Sequence, residues 1–190
     1  MWFIKWYNIY TKLYKSGVPC LTIRISKQGG NMNKQKNLWV ARISVIAALY
    51  VALTLISYPF SYGMIQFRIS EALMLLCFYN KKYNWALIIG CLVSNFFSFN
   101  IIDCIFGVLA TVLACIAMNL VKNKFIASLF PAIFNGVIIG LELYFILDLP
   151  LVISMCSVAV GEIVVVTILG NFLFYFINKN SHFMELIGIK

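Results

Sequence analysis

The sequence predicts an all-α polytopic membrane protein, a bundle of six transmembrane helices with both termini in the cytoplasm. Three observations predict it. Of the 190 residues 63% are apolar and only 11% charged, and the mean hydropathy of +0.93 lies far from that of soluble domains. Several apolar runs approach the roughly 20 residues that cross a hydrocarbon core about 30 Å thick, which indicates helices and not the short alternating strands of a barrel. The third observation is that lysines fall in alternate loops.

The first span is read from Leu38 to Ser57 and closes at Tyr58-Pro59, where the proline ring disfavours further helix. The second runs from Met64 to Tyr79 and the third from Tyr83 to Phe97, both short for a crossing. The fourth covers Ile101 to Val121, the fifth Phe125 to Leu147, and the sixth follows Asp148-Leu149-Pro150 and continues to Ile177. Pro150 suits a first helical turn, whereas Pro131 inside the fifth run implies a kink or a later helix start.

Loop charge orients the bundle. Lys34, Lys36 and Arg42 precede or open the first span, Lys81 and Lys82 follow the second, Lys122 and Lys124 the fourth, and Lys179 the sixth. The loops around Phe60, Asn100 and Asp148 contain no lysine or arginine, so the positive-inside rule places both termini in the cytoplasm. The formal net charge of +9 is therefore read as topology and not as nucleic-acid binding.

Residues 1–31 read as an N-terminal extension ahead of the six-helix domain at 32–190. Phe3, Trp6, Tyr7, Tyr10, Leu13 and Tyr14 would share one face of an interfacial helix. The competing reading starts the natural chain at Met32: Gln28-Gly29-Gly30 is encodable by CAA GGA GGA, a purine tract like a ribosome-binding site, and a basic Met-Asn-Lys-Gln-Lys start follows.

Catalysis finds little support. The six cysteines have no CxxC or Cys/His spacing, and His182, the sole histidine, lacks a partner at ligand spacing. No metal or cofactor is expected, and the sequence contains no GxxxxGK[ST] phosphate loop.

The polar residues within the apolar runs are the stronger signal, since an ionisable group at a helix centre costs about 2.5 to 3.5 kcal/mol on insertion scales unless it meets water, a partner or a cavity. At about 1.5 Å per residue, Arg68, Glu71, Asn95, Asp103 and Glu142 fall in the outer half, Asn135 and Glu162 nearer mid-depth. Convergence on one outward-facing pocket is expected. In the plainer reading Arg68 and Glu71 pair with each other and the remaining acids sit at the wet interface. That accounts for Asp148 well and for Glu162 badly, because Glu162 is flanked by Ala159, Val160, Gly161, Ile163, Val164 and Val165. Two small-residue stripes, Ser44/Ala48/Ala52 and Gly107/Ala110/Ala114, suit close helix contact, either inside the bundle or with another subunit.

The run Gln66-Phe67-Arg68-Ile69-Ser70-Glu71-Ala72-Leu73 resembles the IQFRISEAL signature of the QueT family, substrate-binding S components of energy-coupling-factor transporters for queuosine precursors. Resemblance continues through Ser94-Asn95, the run from Asp103 to Thr111, Asn135-Gly136 and Gly161-Glu162, and covers roughly Leu38 to Ile177. It implies a multi-pass bacterial plasma-membrane protein that binds a 7-deazaguanine derivative and works with one membrane coupling subunit and two ATPase subunits. It also implies docking of the first helix on the coupling subunit through Ser44, Ala48 and Ala52.

Under that resemblance Glu162 is the leading acceptor for the adjacent N–H donors of a guanine-like edge, with Asn95 and Asn135 toward ring heteroatoms. Glu142 or Glu71 is a candidate for holding an aminomethyl cation, and Arg68 for orienting Glu71 or meeting the ligand carbonyl. The competing functions are an S component for another vitamin or nucleobase, a non-transporting membrane interaction protein, and a solitary secondary transporter, for which the chain is short and lacks duplicated halves.

Overall fold

The computed structural model describes residues 31–61, 67–98 and 100–189, with side chains from Lys34 onward. Among the described residues every regular element is helical. The amphipathic stretch from Trp2 to Tyr14, the extension ahead of Met32 and the Met64 start of the second span lie outside them. The chain divides into Met1–Gln35 and Lys36–Lys190, and the description below concerns the second unit.

Helix α1, Asn31–Ile56, is continuous through the apolar run and ends one residue before Ser57. A single turn, Tyr58–Ser61, follows, with Pro59 in its first positions. Helix α2, Ile69–Tyr79, is short and built in two parts, 3₁₀ over Ile69–Met74 and α over Leu75–Tyr79. Helix α3 spans Tyr83–Asn95 and α4 spans Asp103–Met118, each trimmed at the ends relative to its apolar run. Helix α5, Phe130–Leu147, begins with Pro131 in its first turn, so the proline marks a later start and not a kink. Asp148 closes α5 in the left-handed region at φ 54°, a conformation aspartate tolerates better than most residues, and it is exposed. Helix α6, Leu151–Lys179, is α over Leu151–Glu162, π over Ile163–Gly170 and α again over Asn171–Lys179. A last turn and a half, α7, covers Ser181–Leu186.

Three helices, Lys34–Ile56, Lys124–Leu147 and Leu151–Lys179, are long and apolar enough to cross a membrane, and Ile69–Tyr79 and Asp103–Met118 are shorter apolar helices. The protein is thus a polytopic helical membrane protein. Large apolar side chains such as Ile56, Trp85, Ile105, Phe145 and Phe176 are exposed, as lipid-facing residues must be.

The largest apolar core lies at the lysine-bearing end, where Tyr83, Leu87, Met118, Ala127, Phe174 and Ile187 pack together. A smaller one, Ile139, Leu143 and Val158, joins α5 to α6 with Phe106 and Leu149 against it. Helix α5 packs most extensively on α6 and next on α4, while the 3₁₀ part of α2 packs on the π part of α6. Glycine permits the closest approaches: a Cβ at Gly140 would meet the Met155 backbone at 2.8 Å, and one at Gly170 would meet the Ala72 carbonyl at 3.3 Å.

Candidate functional site

The irregular stretches of α2 and α6 bring the two deepest acids toward each other. Glu71 stands in the 3₁₀ turn, and Glu162 is the last residue before the π segment, the segments that pack on one another. Helix irregularities of both kinds recur at functional positions because they re-aim side chains and free backbone groups. Glu71 is 1% exposed and Glu162 3%, and each lies within electrostatic reach of the other and of Arg68.

Each acid has one oxygen held and the other left open. Tyr50, fully buried on α1, donates its hydroxyl to Glu71 Oε1. Asn135 on α5 donates from Nδ2 to Glu162 Oε1 at 2.6 Å. Glu71 Oε2 and Glu162 Oε2 are buried without a hydrogen-bond partner. A buried acceptor left unsatisfied costs about 1 to 3 kcal/mol, so such atoms in pairs call for an explanation.

The rest of the cluster surrounds this pair. Arg68 is buried, its Nε 3.4 Å from the Ser61 carbonyl, and its guanidinium lies beside Gly107 of α4, where a Cβ would come within 3.8 Å of Nη1. Asn95, fully buried at the end of α3, also borders Gly107. It donates from Nδ2 to the Asp103 carbonyl at 2.9 Å and leaves Oδ1 without a partner. A Cβ at Gly107 would therefore collide with the Asn95 amide, while Arg68 stands at ordinary contact distance. Glu142 is buried on α5 beside the half-buried Asp103 carboxyl at the head of α4, and its Oε1 is unpartnered. Below Tyr50 a hydroxyl ladder continues: Thr54 Oγ1 lies 2.7 Å from Ser70 Oγ, and Ser57 Oγ lies 2.8 Å from Ser61 Oγ.

All seven polar residues singled out in the sequence therefore belong to a neighbourhood built by α2 to α6, and only Asp103 is more than slightly exposed. Asp148 lies apart from them on the loop after α5. Asn135 spends an N–H on Glu162, and the hydroxyl that holds Glu71 belongs to Tyr50, which the sequence reading did not single out. Two grooves among the described residues are lined by other side chains: one of about 440 Å³ between α5 and α6, lined by Gly136, Met155 and Ala159 among others, and one of about 340 Å³ beside Ala41, Tyr83 and Ile187. Both are apolar, and no acid lines either.

The small-residue stripes separate cleanly. Ser44, Ala48 and Ala52 are all exposed along α1, opposite the face that carries Tyr50 and Thr54 inward. Gly107, Ala110 and Ala114 are all buried and serve packing inside the bundle.

A family model described as QueT transporter matches residues 40–179. The chain belongs to the QueT transporter family. A curated relative, the queuosine precursor transporter QueT of Lactococcus lactis subsp. cremoris (strain MG1363), is 38% identical over 147 residues, covering 69% of this chain and 87% of the relative. No solved structure matches the chain. This QueT-family chain is a multi-pass plasma-membrane protein with a role in transport, and its whole buried polar cluster, Tyr50 included, lies inside the matched region.

Proposed function

We propose that the chain is the substrate-binding membrane subunit, or S component, of an energy-coupling-factor importer, and that the Glu71/Glu162 cluster binds a queuosine precursor of the 7-deazaguanine class. The observation that carries this is the pair of buried carboxylates on packed helices, each with one oxygen clamped and one open. A guanine-like edge presents adjacent N–H donors, which is what two open acceptors on facing helices require. Arg68 is the donor for the ring carbonyl, Asn95 contributes its open Oδ1, and Asn135 acts by orienting Glu162. Membership of the QueT family and the printed function of the Lactococcus lactis relative support the same ligand.

Energy comes from elsewhere in this reading. ATP hydrolysis belongs to two separate ATPase subunits, and a membrane coupling subunit docks on the exposed Ser44/Ala48/Ala52 face of α1. Mass spectrometry of small molecules released from natively loaded, purified protein tests the ligand. A 7-deazaguanine base recovered in stoichiometric amount is the expected result, and recovery of an unrelated vitamin or nucleobase would replace it.

A further inference from the structure

We infer that the lysine-bearing end of the bundle holds a site for an anionic phospholipid, with an acyl chain in the groove between α1 and the C-terminal segment and the headgroup phosphate at Arg42. The groove has a volume of about 340 Å³, with Leu38, Ala41 and Val45 on its α1 wall and Leu186 and Ile187 on the other. Leu38 and Val45 belong to the apolar span Lys34–Ile56 and are exposed, so hydrocarbon surrounds them. Both walls are fixed to each other. The Tyr83 hydroxyl donates to the Ile187 carbonyl, and Arg42 Nη2 donates to the Glu185 carbonyl at 3.2 Å. Gly188 turns at φ 66° against the guanidinium, where a Cβ would collide with Arg42 Nη1.

The rim of this groove carries positive charge that the chain does not neutralise. Arg42 lines the groove, and among the described residues the Glu185 carbonyl is its one hydrogen-bond acceptor and no carboxylate pairs with it. Arg42 Cζ lies 5.1 Å from the centre of the Trp39 ring and Lys82 Nζ 4.2 Å from it, so one aromatic side chain holds two like charges. Their mutual repulsion is relieved by an anion beside them. The Glu185 side chain is exposed and does not line the groove. By the positive-inside rule this end meets the cytoplasmic leaflet, whose surface potential is negative and whose anionic headgroups occupy basic pockets between helices. A free phosphate would leave the apolar walls uncovered, whereas a phospholipid covers the walls and answers the charge with one molecule. The α5–α6 groove is the contrast: no charged residue lines it, so nothing there selects a headgroup.

Native mass spectrometry of the detergent-purified full chain, titrated with dioleoylphosphatidylglycerol and dioleoylphosphatidylcholine, tests the site. One phosphatidylglycerol should be retained about tenfold more strongly than phosphatidylcholine. Arg42→Gln should remove most of that preference, and Ala41→Trp, at an exposed position of the groove wall, should abolish retention of this lipid. Thermal melts establish that the variants are folded; if Arg42→Gln is not, Lys82→Gln at an exposed position takes its place and should lower the preference about threefold. Equal retention of the two lipids, or a preference unchanged in the folded charge variant, would overturn the inference. So would an Ala41→Trp chain that keeps its lipid and loses a co-purifying protein, because the groove would then be a protein contact.

Discussion

Asn135 reaches across the α5–α6 contact to donate to Glu162 at 2.6 Å, with both side chains at most 5% exposed. The bond fixes which oxygen of Glu162 remains open. Glu162→Gln replaces that open acceptor with an amide able to rotate a donor toward the ligand's own donors, so ligand affinity should fall by about 10- to 100-fold with the melting temperature little changed. Calorimetry and a thermal melt of the detergent-extracted variant separate the two effects.

Tyr50 should act on affinity through Glu71. Tyr50→Phe keeps the ring where it packs and orphans Glu71 Oε1, and ligand binding should weaken by about tenfold. Gly90→Ala disturbs the same place sterically, because a Cβ there would meet the Tyr50 Cβ at 2.9 Å. Loss of about 1 to 3 kcal/mol of stability is expected, seen as a lowered melting temperature. Tyr50→Phe with unchanged affinity would leave the tyrosine a packing role only.

The two small-residue stripes make opposite predictions. If the proposed S-component role holds, Ala48→Trp, on the exposed face, should leave folding and ligand binding intact while abolishing co-purification with a coupling subunit. Ala114→Trp, fully buried between helices, should fail to give folded protein at all. If Ala48→Trp loses ligand binding as well, the stripe packs within the bundle.

Cys77 of α2 and Cys115 of α4 are fully buried free thiols with sulfur atoms 3.0 Å apart. Treatment with a membrane-permeant oxidant, after the exposed Cys156 has been blocked with a maleimide, should join them in an intramolecular disulfide. Peptide mapping under non-reducing conditions would find the cross-linked pair in the native chain and lose it in Cys115→Ala. No cross-link while Cys156 reacts fully would mean that α2 and α4 pack differently.

Much of this architecture is legible in the chain because it depends on local features. Apolar run length marks the helices, and an acid such as Glu162 amid valines stands out without knowledge of its neighbours. Tyr50 does not stand out. An aromatic residue in an apolar helix is the expected background, and its partner Glu71 is 21 residues away on another helix. The stripes of α1 and α4 have the same kind of spacing, and only packing sorts the exposed one from the buried one. The helix ends also moved: α3 stops at Asn95 and α4 runs from Asp103 to Met118, inside their apolar runs, because apolar composition continues past the last helical hydrogen bond.

Helix α1 presents Tyr50 to the site on one flank and Ala48 and Ala52 to the surroundings on the other, within little more than one turn. If a partner grips the outer flank, it holds the same rod that sets the position of Glu71. Thermodynamic reciprocity then applies: a partner that favours the ligand-free arrangement weakens ligand affinity by the same factor by which ligand weakens the partner's hold. Measuring both factors would reveal how much of the release step is written into this single helix.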